Sequence, residues 1–132
     1  MVEIPERLQY LLKRETKAFA FLALTLKDSS PQVTPIWFDW DGAHLVLNTA
    51  RGRVKDKVMK RRGKVALLIV DPGDTYEYLQ IRGVVDVETE EGGYDMICSL
   101  NEKYHGDRNF PKRAGDVRVT YTIAPEQVFP RQ

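Results

Sequence analysis

Residues 45–64 read LVLNTARGRVKDKVMKRRGK, an apolar run that passes through Gly52 into a strongly basic stretch. The apolar run predicts a strand over residues 43–49, and the basic stretch predicts a helix over residues 52–62. A strand that turns through a glycine into a helix directs backbone N–H groups and the positive end of the helix dipole at one point. This stretch therefore predicts an anion-binding site at the start of the helix.

The same stretch concentrates positive charge. Eight of the fourteen residues from Arg51 to Lys64 are Lys or Arg and only Asp56 opposes them, so the segment carries +7 although the whole chain carries +1. Arg53 offers a bidentate fork and Lys55 a point charge, which together suit a phosphate group. The other basic residues exceed what one phosphate needs, and they either form a solvated helix face or meet a more extended anion. They are Arg51, Lys57, Lys60, Arg61, Arg62 and Lys64.

Composition limits the class of protein. The 132 residues suffice for one domain over residues 1–132, and 42% hydrophobic with 30% charged residues is typical of a globular protein. No apolar run approaches the roughly 18 residues of a membrane span, the longest being residues 18–26, and the first residues lack a signal-peptide pattern. Cys98 is the only cysteine, which excludes an intrachain disulfide and a thiolate metal cluster. We expect a cytoplasmic protein that does not contact a membrane.

The remaining periodicity predicts a mainly β fold with flanking helices. Pro35 predicts an edge strand or a break in the ladder, Asp41-Gly42 predicts a hairpin, and Gly83 predicts a bend or a close backbone approach. Strands and helices do not alternate regularly, which excludes a doubly wound parallel sheet and favours a small closed or partly closed barrel. The six predicted strands cover residues 18–26, 32–40, 43–49, 64–71, 75–87 and 116–124, and the three helices cover residues 5–12, 52–62 and 92–104.

Side-chain alternation also predicts which residues face the core. In the helix over residues 52–62 the pair Val54 and Val58 lies four residues apart, on the predicted inner face. In the strand over residues 75–87 we expect Val87 to share one face with Ile81 and Val85, and in the last strand we expect Val117 to point inward.

Four stretches, in this order, resemble the flavin/deazaflavin oxidoreductase superfamily. This is the split β-barrel group that includes pyridoxamine 5'-phosphate oxidases and enzymes that use the deazaflavin coenzyme F420. The stretches are PQVTPIWF at residues 31–38, LNTARGRVK at 47–55, QIRGVV at 80–85 and RVTYTIAPEQV at 118–128. The resemblance covers nearly the whole chain and implies a six-stranded antiparallel split β-barrel.

The resemblance further implies a homodimer with two cofactor sites in grooves between the subunits. Arg53 and Lys55 would hold the cofactor phosphate, with Asn48 and Thr49 beside it, and the partner's Tyr78 would close the groove. The residues expected to lie against the tricyclic ring, mostly through their backbone, are Gln32, Thr34, Pro35 and Ile36.

The identity of the cofactor follows from two features. Coenzyme F420 carries an oligoglutamate tail, which suits the excess of cations better than flavin mononucleotide (FMN) does, so F420 is favoured over FMN. Pyridoxamine phosphate oxidases carry a longer C-terminal segment with a Trp and an Arg for the vitamin B6 ring, whereas this sequence ends at Pro130-Arg131-Gln132 without a Trp. We therefore do not expect vitamin B6 oxidation.

The function implied is an oxidoreductase that transfers hydride between F420 or FMN and a small conjugated or heteroaromatic substrate. Hydride transfer needs few catalytic side chains because the cofactor carries the chemistry, and no catalytic or metal-binding motif is present around His44 or His105. The loop over residues 105–115 either covers the substrate or only connects two elements. A non-catalytic protein that stores the cofactor on the same fold is the alternative.

A nucleic-acid binder is a third possibility for the basic stretch. Small barrels that bind single strands pair a basic groove with stacking aromatic residues. The segment from Arg51 to Lys64 contains no Phe, Tyr or Trp, so we expect no nucleic-acid partner.

Overall fold

A computed structural model of the chain describes residues 2–130, with the side chain of Arg62 left out. The expectation that rested on the ending at Arg131-Gln132 lies outside the described residues. The strands are β1 Phe19–Thr25, β2 Pro31–Ile36, β3 Phe38–Trp40, β4 Leu45–Ala50, β5 Lys64–Asp71, β6 Asp74–Thr89 and β7 Arg118–Phe129. Two 3-10 helices, Glu6–Leu12 and Arg14–Thr16, precede them, and the α-helices are α1 Val54–Arg62 and α2 Gly93–His105.

All seven strands form one antiparallel sheet in the order β2-β1-β5-β6-β7-β4-β3. The two edge strands, β2 and β3, are consecutive in the chain and only Trp37 separates them. The sheet must therefore curl until its opposite edges meet, which makes the fold a split β-barrel. Seven strands replace the predicted six because the predicted strand over residues 32–40 divides at Trp37. Pro35 lies on the edge strand β2, as its missing N–H requires.

The barrel interior is filled by alternating residues of each strand and closed by the first 3-10 helix, which buries Leu8, Leu11 and Leu12. This segment was predicted as a helix over residues 5–12 and forms the tighter 3-10 type. Among the described residues no helix is long and apolar enough to cross a membrane.

Three valines do not lie where the alternation of their element predicts. Val54 is 49% exposed because it is the first residue of α1, and the helix packs through Val58 and Met59 instead. Val87 is 46% exposed because the register of β6 against β7 shifts between Val85 and Val87, which reverses the alternation. Val117 is exposed because it precedes β7, which begins one residue later.

The predicted close approach at Gly83 is confirmed. A Cβ atom at Gly83 would lie 2.4 Å from the carbonyl oxygen of Ala124 on β7. The register of β6 against β7 shifts at this point, between Arg82 and Gly83. Only a residue without a side chain allows the two strands to pass so closely.

Candidate active site

A cleft of about 710 Å³ opens beside the seam of the barrel, where β1 and β2 meet the C-terminal half of α2 and the loop over residues 106–117. Its lining combines two kinds of side chain. Cationic side chains come from the start of α1 and the start of β7, and aromatic side chains come from the seam, α2 and the loop.

The turn before α1 is held by Asp56, which is 4% exposed. Its carboxylate accepts hydrogen bonds from the backbone N–H of Gly52 at 2.9 Å, from Arg51 at 2.9 Å and from the Tyr121 hydroxyl at 2.7 Å. Burial alone would raise the pKa of Asp56, but these three donors outweigh it and hold the pKa below its ordinary value. Asp56 thereby fixes the turn from which Arg53 and Lys55 reach the cleft.

Arg51 is not available to an anion in the cleft. Besides Asp56, its guanidinium pairs with Glu88 near the end of β6 and with Glu90 in the loop that follows β6. It was counted among the excess cations from its position in the basic stretch, and the structure assigns it to this internal network.

We expect Asp56→Asn to lower the free energy of unfolding at pH 7 by about 3 kcal/mol, because it removes a buried charge that pairs with the half-buried Arg51 and leaves the buried Tyr121 hydroxyl with a weaker acceptor. The folded-state pKa of Asp56 lies below the unfolded one, so the wild type gains stability from this group above the ordinary carboxyl pKa of about 3.9 and loses it as the pH falls through the folded value. Urea unfolding of both proteins from pH 7 down to pH 3 measures this. A gap that does not shrink below about pH 4 would contradict the assignment.

Three cations lie close together in the lining of the cleft. Arg53 and Lys55 come from the start of α1, and Arg118 comes from the first residue of β7. Burial, and then the nearby charge of Arg53, lower the pKa of Lys55 and the pKa of Arg118. Asp116 is the only acidic side chain that lines the cleft among the described residues. Positive groups gathered with so little negative charge are the electrostatic signature of an anion site.

Asn48 fixes the position of Arg118. Its side-chain amide donates to the carbonyl oxygen of Gly93 at 2.9 Å and to the Thr120 hydroxyl at 3.2 Å, while its oxygen accepts from Arg118 Nε at 2.9 Å. Each polar atom of this amide is therefore used within the protein, and Asn48 acts on the site through Arg118.

An aromatic wall of the cleft is formed around Trp37. Its ring stacks on Tyr104 at 5.5 Å between centroids, and the edges of His105 and Phe110 approach it at 5.3 Å and 6.4 Å. The buried Lys103 fastens α2 to the start of β3, because its ammonium donates to the carbonyl oxygen of Phe38 at 2.6 Å. Burial lowers the pKa of Lys103 to about 8.

A family model described as pyridoxamine 5'-phosphate oxidase matches residues 4–131. The chain belongs to this family. A solved structure described as F420 reductase shares 30% identity and a TM-score of 0.83, with 95% of this chain and 98% of that chain covered. No curated protein matches the chain.

Two more distant structures share the fold. A Listeria innocua protein, named as a candidate pyridoxamine 5'-phosphate oxidase, has 19% identity and a TM-score of 0.70, with coverage of 93% and 94%. A conserved hypothetical protein from Mycobacterium tuberculosis has 24% identity and the same TM-score, with coverage of 96% and 83%. Membership of the pyridoxamine 5'-phosphate oxidase family indicates a protein that binds a flavin or deazaflavin. At the level of the family it also supports the function of an oxidoreductase.

The structure brings most of the residues predicted from the sequence into this one cleft. Those that line it are Pro35, Ile36, Asn48, Thr49, Arg53 and Lys55. Gln32 and Thr34 lie farther along β2, where they pair with the buried Leu24 and Leu22. Tyr78 lies on the outward face of β6 and does not line the cleft of its own chain.

The residues of this family member fit a cofactor that joins a phosphate to a planar ring. The phosphate would meet Arg53 and Lys55, and the ring would lie against the Pro35 and Ile36 side of the cleft. The buried hydroxyl of Thr34 has no hydrogen-bond partner among the described residues. Thr34 pairs with the core residue Leu22 and does not line the cleft, so this hydroxyl offers no donor to a group held there.

Sequence reasoning missed Arg118 and the aromatic wall. The alternation of the last strand assigned Arg118 to an outward, solvated face, but α2 and the loop that follows cover that face. The sequence of the loop over residues 105–115 is compatible with a cover for the substrate and with a plain connector. His105, Phe110, Pro111 and Arg113 line the cleft, which favours a cover.

Proposed function

We propose that this protein is an oxidoreductase that transfers hydride between bound coenzyme F420 and a small conjugated or heteroaromatic substrate. The observation that carries the proposal is one cleft that is lined both by the paired cations Arg53 and Lys55 and by an aromatic wall. The cofactor, when bound, would supply the hydride chemistry. The chain would hold the phosphate through Arg53 and Lys55, orient the ring, and exclude water with α2 and its loop.

Two features support F420 rather than FMN. The F420 reductase at 30% identity is covered almost completely. In addition, the exposed cations of α1 and the start of β5 have no ion-pair partner in the described part of the chain, and they would suit an acidic tail that leaves the cleft. These cations are Lys57, Lys60, Arg61 and Lys64.

Titration of the purified protein with F420 and with FMN, followed by absorbance, tests the proposal. We expect F420 to bind more tightly than FMN. The reduced complex should then transfer hydride to one or more members of a panel of quinones and enones. Binding without turnover on the whole panel would favour the storage protein, and failure to bind either cofactor would refute both functions.

We further propose that the protein is a cytoplasmic homodimer. The outward face of β2, β1, β5 and β6 carries apolar side chains, because directly paired residues share a face of the sheet. Val33 on this face is 65% exposed and Phe19 is 54% exposed, with Leu68 and Tyr78 exposed beside them. The patch is continuous with the cleft, which Phe19 also lines. A second copy seated here would cover the patch and bring its Tyr78 near the cofactor groove.

We expect Val33→Glu to convert the dimer to a monomer, because a charge placed in a closely packed apolar interface is not compensated. Val87→Glu is the matched control, since Val87 is an exposed valine of β6 outside the patch. Sedimentation velocity measures both. A Val33→Glu protein that sediments as a dimer, or a wild type that sediments as a monomer, would refute the proposed interface.

A further inference from the structure

We propose that the cleft contains a second anion site at Arg118, which binds the carboxylate of a planar, conjugated substrate. The inference rests on the proposed function, because it names the substrate class of the same cleft. It assigns the phosphate to Arg53 and Lys55 and the substrate carboxylate to Arg118.

Arg118 is positioned to act as a fixed fork. Its Nε donates to Asn48, and Asn48 is itself tied to Gly93 and Thr120. The guanidinium carbon lies 5.2 Å from the centre of the Phe110 ring. The two terminal nitrogens of Arg118 have no acceptor within the described residues, so the side chain is held at one end and free to bind a carboxylate at the other.

Charge balance leaves room for a second anion. Four cationic side chains line the cleft, namely Arg53, Lys55, Arg113 and Arg118, and Asp116 opposes them. A phosphate group carries at most two negative charges. Positive charge therefore remains in the cleft after the phosphate is bound, and a carboxylate would neutralise part of it.

The surroundings of Arg118 indicate what the carboxylate is attached to. Arg53 and Lys55 lie at the start of a helix, where backbone N–H groups favour a phosphate. Arg118 instead packs against Phe110, whose ring lies 6.4 Å from that of Trp37. A flat conjugated group could contact these rings while its carboxylate meets the guanidinium.

Binding of trans-cinnamate and of its neutral isostere cinnamamide tests the site. Both are titrated into protein loaded with oxidised F420, following the fluorescence of Trp37 and Trp40. We expect the wild type to bind cinnamate about tenfold more tightly than cinnamamide and Arg118→Gln to lose this preference. The matched control Arg7→Gln, at an exposed arginine that does not line the cleft, should keep it.

The affinity for F420, measured in the same proteins, separates this inference from the proposed function. Arg118→Gln should change it less than about threefold. A loss as large as that of a double Arg53→Ala, Lys55→Ala variant would make Arg118 a phosphate ligand and overturn the inference. If no cofactor binds, the titrations are made with saturating inorganic phosphate in its place, and the same preference is required.

Two further outcomes overturn the inference. One is an Arg118→Gln protein that retains the preference for cinnamate. The other is a wild type that binds cinnamate and cinnamamide equally, a result that needs no variant and decides the question even if Arg118→Gln does not fold.

Discussion

The double variant Arg53→Ala, Lys55→Ala is expected to bind its cofactor at least about 100-fold more weakly than the wild type. Each hydrogen bond to a charged group contributes about 1.5–3 kcal/mol, and the variant removes two charged donors from one phosphate. The pKa of Lys55 is lowered by its burial and by the charge of Arg53, so an anion that relieves this repulsion gains from both side chains together.

The double variant Lys60→Ala, Arg61→Ala is the matched control. It removes two charges from the same helix, but neither side chain lines the cleft. We expect it to leave the affinity for FMN unchanged and to weaken F420 binding only slightly, through the acidic tail. Equal losses of FMN binding in the two double variants would mean that the cations act through net charge alone, and an undiminished affinity in the Arg53→Ala, Lys55→Ala protein would refute the phosphate site.

Gly93→Ala is expected to lower the free energy of unfolding by about 3 kcal/mol. A Cβ atom at Gly93 would lie 2.2 Å from the carbonyl oxygen of Arg118, which is backbone and cannot rotate away. Helix α2 would have to move off β7, and the hydrogen bond from Asn48 to the carbonyl oxygen of Gly93 would be disturbed. Because α2 also lines the cleft, its displacement should weaken cofactor binding as well as stability.

Gly106→Ala, at the other end of α2, is the control for Gly93→Ala. It has open space around the added carbon but a left-handed φ of +89°, so we expect only the backbone cost of about 1–2 kcal/mol and little change in the cleft. Urea unfolding and cofactor titration of both variants measure the difference. If Gly93→Ala proved no more destabilising than Gly106→Ala, the close contact with Arg118 would not limit the packing of α2.

The sequence predicted the local elements well because hydrophobic periodicity reflects burial within one strand. Strand β5 forms over the residues predicted for it, and Gly83 marks a close approach of two strands. The division at Trp37 was not predicted, because it arises when the curled sheet brings its edges together, and no local pattern records that closure. The register shift that exposes Val87 is invisible for the same reason.

The candidate site was predicted only in part, because only some of its residues carry a local signal in the sequence. Arg53 and Lys55 carry a local signal, a strand followed by a glycine and a basic helix start. Arg118 is a single cation in an alternating strand, and alternation alone marks it as solvated. Its place in the cleft depends on α2 and the loop after it, which are distant in the sequence and meet it only in the folded chain.

Trp37 joins the closure of the barrel to the shape of the cleft. Trp37 connects the two edge strands of the sheet and stacks on Tyr104. A substitution at this position would therefore disturb both the closure of the barrel and the aromatic wall of the cleft. Residues 106–117, by contrast, form no strand or helix and contribute the opposite side. We therefore expect homologous proteins with other substrates to differ mainly by substitutions in this loop, while the position of Trp37 varies little.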